Sequence, residues 1–546
     1  MHATTGRARA GSATVTVIAA CLALVLSACG GGAGADSAGS STGGGIILAA
    51  GTEPQNPLLP TNTNEVGGGL IMNLLFQGLI SYDAHGKSIN QVAASITTTD
   101  SQTFTVKVKA GWTFTNGEAV TARSFVDAWN FGALSTNNQA NAYFFGPIDG
   151  YTDVHPSGLD AKPTARTMDG LTLVNTLTFT VRLTSAQASF PSRLGYTAFY
   201  PLPQCAYKDL KAFGEHPIGN GSYMLDGNWV HNVSIKVKKN PTYRGTLVAK
   251  NDGVDVKVYT DQMQSYADLL ANDVDVVSGI PDGVLDSFKA DLGSRAINQP
   301  TGTADSLTFP LYQPEWTTNS SKQVRQAISM AIDRQALTNT VFQGTRTPAT
   351  DFSSPVVQGY SLTICGPICT FNPAKAKALL AAAGGFRGTL QIAYNADGGH
   401  KTWVDATCAS IRAVLGIDCS GVAYPDRKSL RDPITKGSMT GPFRTSWQMD
   451  YPALENFLAP IFAKGAGSND AHYDNPSFDA LLRQGDKASS PAEAITSYQA
   501  AERLLVADMP VIPLWYTNTT GGYSENVSNV KFDVFGVPIY TDITRK

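Results

Sequence analysis

At 546 residues the chain is long enough to bury two or three domain cores, and with 42% apolar and 16% charged residues it is too apolar for a disordered chain. Its 41 Lys and Arg against 44 Asp and Glu give a formal charge of −3, which indicates no basic face for nucleic acid.

The first 29 residues read as a targeting segment. Arg7 and Arg9 supply a positive start, residues 15–26 are apolar except for Thr16, and Leu26-Ser27-Ala28-Cys29 follows with small residues at a processing site. That tetrapeptide looks like a bacterial lipobox, in which the cysteine is diacylated and becomes the mature N-terminus. The bland alternative is a secretory leader with an incidental cysteine. A signal peptide over 1–28 and a lipidated Cys29 place the protein on the extracytoplasmic face of the cell membrane, held by acyl chains. The apolar run is short for a bilayer span. Residues 29–45 are nearly all Gly, Ala and Ser, the composition of a flexible tether.

Folded sequence starts at 46–50, a short apolar run that predicts a strand, and a proline-rich turn follows at 53–58. Residues 104–108 and 178–183 alternate apolar and polar, as half-buried strands do. Between them Asn116-Gly117 is a turn signal, and Thr121 is a cap candidate for a helix with Phe125, Ala128 and Trp129 on its core face. Residues 254–259, 265–272 and 274–277 read as strand, helix and strand, a unit that builds mixed or parallel sheets. Further on, Ser321 is a cap candidate for a helix with Val324, Ile328, Ala331 and Ile332 on one face. Arg325, Asp333 and Arg334 there read as solvated or paired structural charges. Asn372-Pro373 starts a helix that ends at Gly384, and Ser490-Pro491-Ala492-Glu493 is a capping box with proline at the first helical position.

Five cysteines lie beyond Cys21 and Cys29. An oxidising compartment permits disulfides, and Cys365/Cys369 and Cys408/Cys419 are the nearest-neighbour pairs, leaving Cys205 over. Zinc is the rival reading for Cys365 and Cys369, but no second ligand pair accompanies them, so no metal is expected. Zincin and Walker motifs are absent from the sequence, and the seven histidines show no metal-ligand spacing.

The most informative stretch is 444–458, centred on Asp450. This acid stands between Met449 and Tyr451 and two residues before Pro452, so it cannot sit inside a long helix. It belongs on a loop, where a carboxylate framed by aromatic and apolar side chains is either solvated or a partly buried anion open to a cation. Trp447, Asp450, Tyr451, Pro452, Asn456, Phe457 and Leu458 resemble the W-x-x-D-Y-P-x-x-x-N-F-L signature of the family 5 bacterial extracellular solute-binding proteins, the peptide-binding components of ABC importers. Other stretches are similar to blocks of the same family: Leu75-Phe76-Gln77-Gly78-Leu79 to its L-F-E-G-L helix, 112–129 to its F-x-D-G-x-P-V-T-A block, 217–223 to a P-x-G-T-G-P-Y turn, 324–334 to V-R-Q-A-x-x-x-A-I-D-R, and 509–516 to M-P-V-I-P-L-x-Y. The resemblance runs from about 53 to 516, nearly the whole mature chain.

It implies an α/β, periplasmic-binding-protein-like fold of class II (cluster C), two-lobed, with an extra small domain and mixed sheets flanked by helices. The expected division is a discontinuous first lobe of 46–74, 201–305 and 513–546, a small domain over 75–200, and a second lobe over 306–512. The family role of the motif acid implies that Asp450 binds the α-ammonium of a peptide in a closed cleft. Arg444 resembles an arginine placed near the peptide carboxylate in some members, Trp447 and Tyr451 are candidates to wall the ligand or pack the loop, and Tyr143 lies where a small-domain tyrosine reaches the ligand. The implied function is a monomeric, non-enzymatic receptor that captures short peptides and hands them to permease subunits in the membrane, without a cofactor. The alternatives are the same fold holding haem, nickel, a sugar or a cell-wall peptide, and a secreted lipoprotein hydrolase.

Overall fold

The computed structural model describes residues 44–83, 85–157 and 161–546. The leader, the lipobox with Cys29 and most of the 29–45 tether lie outside them. The main sheet is mixed and runs in the order Asp418–Tyr424, Thr389–Asn395, Phe443–Gln448, Ala296–Thr308, Val511–Tyr523, Val276–Ser278, Ile46–Gly51, Gly253–Val258, Ser234–Lys239, Tyr223–Leu225, with Arg346–Pro348 added off this path. The first strand is parallel to Gly253–Val258 on one side and, at Ala49, to Val276–Ser278 on the other. The helix Gln262–Ala271 connects those two neighbours, so the strand, helix and strand read from 254–277 form the expected crossover unit. Ile47 and Ala49 are fully buried, as the alternation of a sheet covered by helices requires.

Two long strands organise the molecule. Ala296–Thr308 and Val511–Tyr523 pair antiparallel along their length, with register shifts between Pro300 and Ala304 and again between Asp305 and Ser306. On one side of the first break, Gly521 and Gly522 pair with Val276–Ser278; on the other, Thr303–Thr308 pair with Phe443–Gln448. A large core that includes Ile47, Leu75, Trp129 and Val256 lies toward the first end. A second, with Leu307, Ile328, Val404 and Trp515, lies toward the other, and a small cluster of Ala304, Met449, Phe457 and Tyr516 sits where the strands cross over. This is the two-lobed α/β architecture expected from the sequence.

The extra small domain has its own sheet, in the order Ala93–Thr97, Thr103–Val108, Thr178–Arg182, Leu171–Asn175. The helix Ala122–Ala133 covers it, and Phe125 and Trp129 are fully buried against Phe179, with ring centroids 6.1 and 5.4 Å away. Both expected disulfides are present, with Cα atoms 5.5 Å apart for Cys365–Cys369 and 5.1 Å apart for Cys408–Cys419. Cys205 is unpaired.

Three local expectations need correction. The segment Leu75-Phe76-Gln77-Gly78-Leu79 is not a helix: the helix Val66–Leu75 stops there and Phe76 is extended, because Gln77 and Asn220 exchange two hydrogen bonds of 3.0 Å that fix the chain leaving the helix. The cap of the helix Asn319–Ala331 is Thr318, which accepts from the Ser321 N–H, and not Ser321. Arg325 and Arg334 are neither solvated nor ion-paired at close range. Both are buried and donate to main-chain carbonyls, Arg325 to those of Trp316, Asp508 and Met509 and Arg334 to those of Ser329, Cys369 and Pro513. A guanidinium with five donors satisfies a converging set of carbonyls that no single amide could. Burial pulls each down to about 10.

Candidate functional site

The strand Phe443–Gln448 delivers the motif to the crossing point of the two cores. Its register places Leu307 opposite Arg444 and Ala304 opposite Trp447, and it ends one residue before the Met449 N–H donates to the Gly302 carbonyl at 2.9 Å. Asp450 then sits on a bend, as the proline two residues later dictates. Asn456, almost fully buried, holds that bend from inside: its Oδ1 accepts from the Asp450 N–H at 2.9 Å and the Trp447 Nε1–H at 3.4 Å, while its Nδ2 donates to Asp450 Oδ2 at 3.3 Å. One amide thus sets the backbone, the indole and the carboxylate together.

Asp450 and Trp447 are half-buried and line a cavity of about 500 Å³ together with Thr303, Asp305, Phe352, Arg427 and Asp470, among others. Burial raises the Asp450 carboxyl above its ordinary range, against the Asn456 hydrogen bond and the charge of Arg193, which favour the anion; Glu455 adds to the rise. Among the described residues no Lys, Arg or His nitrogen lies within 4.0 Å of this carboxylate. It is an acid held in a partly desolvated place without a close counter-charge.

The other residues singled out in the sequence fall on different sides of it. Tyr143 is 56% exposed, on the turn Ala142–Phe145 of the small domain, and its hydroxyl is pushed up to about 12 by burial and then by the Asp450 charge. Tyr196, stacked on Phe144 at 4.0 Å, is raised by burial and then by Tyr143 and Asp450. Tyr451 is 1% exposed and does not line the cavity; its hydroxyl donates to Glu455 Oε2 at 2.6 Å and Arg193 lies over its ring at 4.5 Å. Arg444 lies earlier on the strand and donates to Asn395 Oδ1 at 2.9 Å. Burial lowers its guanidinium, which Asp305 opposes. Beside it His400 is driven down to about 4, by burial and then by Arg444, and the Trp403 Nε1–H donates to its Nδ1 at 3.1 Å. It is neutral at neutral pH.

The structure therefore brings together Asp450 and Trp447, leaves Tyr143 outside the cavity lining, sets Arg444 further back along the strand, and buries Tyr451. Sequence reasoning passed over Arg193, Glu455, Tyr196 and the tying role of Asn456. Only Asn456 had a visible signal, its fixed place in the motif. Among the described residues no group of His, Cys, Asp and Glu is arranged to hold a metal.

Comparison with known proteins gives one consistent result. Residues 87–469 match the model for the bacterial extracellular solute-binding proteins, family 5 (middle part). The chain is 24% identical over 539 residues to the oligopeptide-binding protein OppA of Bacillus subtilis, covering 93% of this chain and 94% of that one. It is 25% identical over 457 residues to the periplasmic murein peptide-binding protein MppA of Escherichia coli, covering 81% and 82%. Among solved structures, the unliganded open form of MppA superposes with a TM-score of 0.83 at 22% identity, over 93% of this chain and 99% of that one. A Haemophilus influenzae OppA complexed with the peptide RPPGFSPFR superposes with a TM-score of 0.63 at 21% identity, over 92% and 98%.

Proposed function

This chain belongs to the family 5 bacterial extracellular solute-binding proteins, and on that premise we propose that it captures short peptides beside Asp450 and delivers them to the permease of an ABC importer. The observation that carries the reading is the half-buried Asp450 carboxylate, tied by Asn456 to the cavity wall and without a close cation. A peptide's α-ammonium supplies the missing charge. Trp447 and Tyr143 flank the entering chain, and the edge of the strand pair offers main-chain partners along its length. Arg444 is the partner for a carboxylate at the other end. The lobes, divided as 46–74, 201–305 and 513–546 against 306–512 with the small domain at 75–200, close about the register break at Pro300 and Ala304. Closure excludes water, and the ion pair at Asp450 strengthens as the local dielectric falls.

Relatives whose names specify oligopeptides, dipeptides, glutathione and murein peptide support a peptide cargo. The lipobox at Leu26–Cys29 supports a lipid anchor at Cys29 and a site of action outside the cytoplasmic membrane, with the receptor acting as a monomer and without catalysis. Peptides retained through purification and identified by mass spectrometry test the cargo. Calorimetry with free and N-acetylated forms of the same peptide tests the site: the acetylated form should bind poorly, and equal affinity for both forms contradicts the role given to Asp450.

A further inference from the structure

Three acids and one cation meet where the small domain touches the second lobe. Asp450 and the buried Glu455 stand on the motif loop and the turn after it, and Asp486 ends the helix Pro476–Asp486. Glu455 Oε2 accepts from the Tyr451 hydroxyl at 2.6 Å and from Ser189 Oγ at 3.0 Å, and Asp486 Oδ1 accepts from the Tyr498 hydroxyl at 2.7 Å. The cation, Arg193, ends the short helix Phe190–Arg193 on the opposite side. Its segment is fastened to the second lobe by the Ala188 N–H donating to the Asp486 carbonyl at 2.9 Å and by the Ser189 bond, and nearby Ser101 Oγ donates to the Ala488 carbonyl at 2.8 Å.

Arg193 is not spent on any one of these acids. It lies flat on the Tyr451 ring, its buried Nε has no hydrogen-bond partner among the described residues, and none of the three carboxylates comes within 4.0 Å of it. Its charge still reaches all three. With every acid ionised the cluster carries three negative charges against one positive, so it has room for one more cation at its open edge, where Asp450 faces the cavity. Burial, and then the Glu455 charge, push Asp450 and Asp486 up, Asp486 to about 7, and Arg193 opposes the rise at both. Tyr143 and Tyr196 also feel the Asp450 charge, and Asp305, Asp470, Arg427 and Arg431 line the same cavity as Asp450.

We propose that Arg193 is a positioning residue of the amine site: from the small domain it supplies the charge that keeps Asp450 ionised within a crowded acid cluster, while leaving the place of the ligand's ammonium unfilled. The inference rests on the peptide-binding reading and adds that the affinity of the amine site is coupled to pH through this arginine. As pH falls, Asp450 takes up a proton and the ammonium loses its partner; with Arg193 removed this happens at higher pH.

The test is the pH dependence of affinity of the full chain for a mixed tripeptide library, with its N-acetylated counterpart as control. Arg193→Gln should move the midpoint of the affinity curve up by about one pH unit, an approximately tenfold loss on its acidic side, with affinity recovering at higher pH. Arg193→Lys keeps the charge and should keep the wild-type midpoint, and it carries the test if the glutamine variant does not fold. A midpoint unchanged in Arg193→Gln, or a midpoint displaced in a folded Arg193→Lys as far as in the glutamine variant, overturns the proposal. If the wild-type protein does not distinguish free from acetylated peptides, the amine reading falls and takes this inference with it; discrimination by the wild type with an unmoved Arg193→Gln curve rejects the arginine alone.

Discussion

At the scale of single residues the site is a matter of where charge is tolerated. Asp450 is held half-buried by hydrogen bonds from one amide, so its carboxylate is oriented but not neutralised. Asp450→Asn keeps the shape and removes the charge; free-amine peptides should bind more weakly by about 2–5 kcal/mol, as for one member of a desolvated charge pair, measured by calorimetry. A contrasting case lies in the second lobe, where Asp351 and Glu502 are both fully buried side by side. Burial raises the Asp351 carboxyl, and the Phe352 and Ser361 N–H groups, which it accepts from at 2.6 and 2.8 Å, oppose that rise. Glu502 is pushed far above its ordinary range by burial and then by the Asp351 charge, so it keeps the proton. A carboxyl whose folded-state pKa is raised contributes stability that is present at low pH and is lost as pH rises from its unfolded pKa, about 4.3, toward the folded one. Wild-type melting temperature should therefore fall from about pH 5 to about pH 8 more steeply than that of Glu502→Gln, compared by differential scanning calorimetry. Parallel slopes for the two proteins refute a protonated Glu502.

At the scale of elements, what holds the second lobe is a set of long-range fastenings rather than helix propensity. The helix Lys401–Leu415 packs on the strand Asp418–Tyr424, and the Cys408–Cys419 disulfide closes that turn with both cysteines 1% exposed. Replacing both by alanine should lower stability by about 2–3 kcal/mol, read from the denaturant midpoint, with peptide affinity unaffected because the pair lies away from the cavity. Arg325 fastens the helix Asn319–Ala331 to the chain around Asp508 and Met509 through main-chain carbonyls. The alternation of residues 104–108 and the caps at Asn372 and Ser490 were legible because each is settled within a turn or a strand of local sequence. The end of the helix Val66–Leu75 was not: its stop is set by Asn220, 143 residues away from Gln77.

At the scale of the whole molecule, the two long strands Ala296–Thr308 and Val511–Tyr523 are the continuous structure between the two large cores, and their register breaks next to the motif loop. The proposed closure would bend the chain there, against the Ser189–Glu455 and Ala188–Asp486 hydrogen bonds that fasten the small domain beside Asp450. Ligand addition should reduce the radius of gyration in small-angle scattering, and Asp450→Asn should remove that change at ligand concentrations saturating for wild type; an unchanged radius in the saturated wild type speaks against closure. The sequence by itself determined the family, the α/β class and the bend that carries Asp450, because each is written in contiguous residues whose chemistry acts over a few neighbours. Only the tertiary structure decided which charges surround that acid: Ser189 and Glu455 are 266 residues apart, and Arg193 reaches Tyr451 from a different domain. It also decided that Arg325 and Arg334 are buried and that Tyr451 lies beneath the loop. Burial and electrostatics depend on distance in space, and a linear sequence records distance only along the chain.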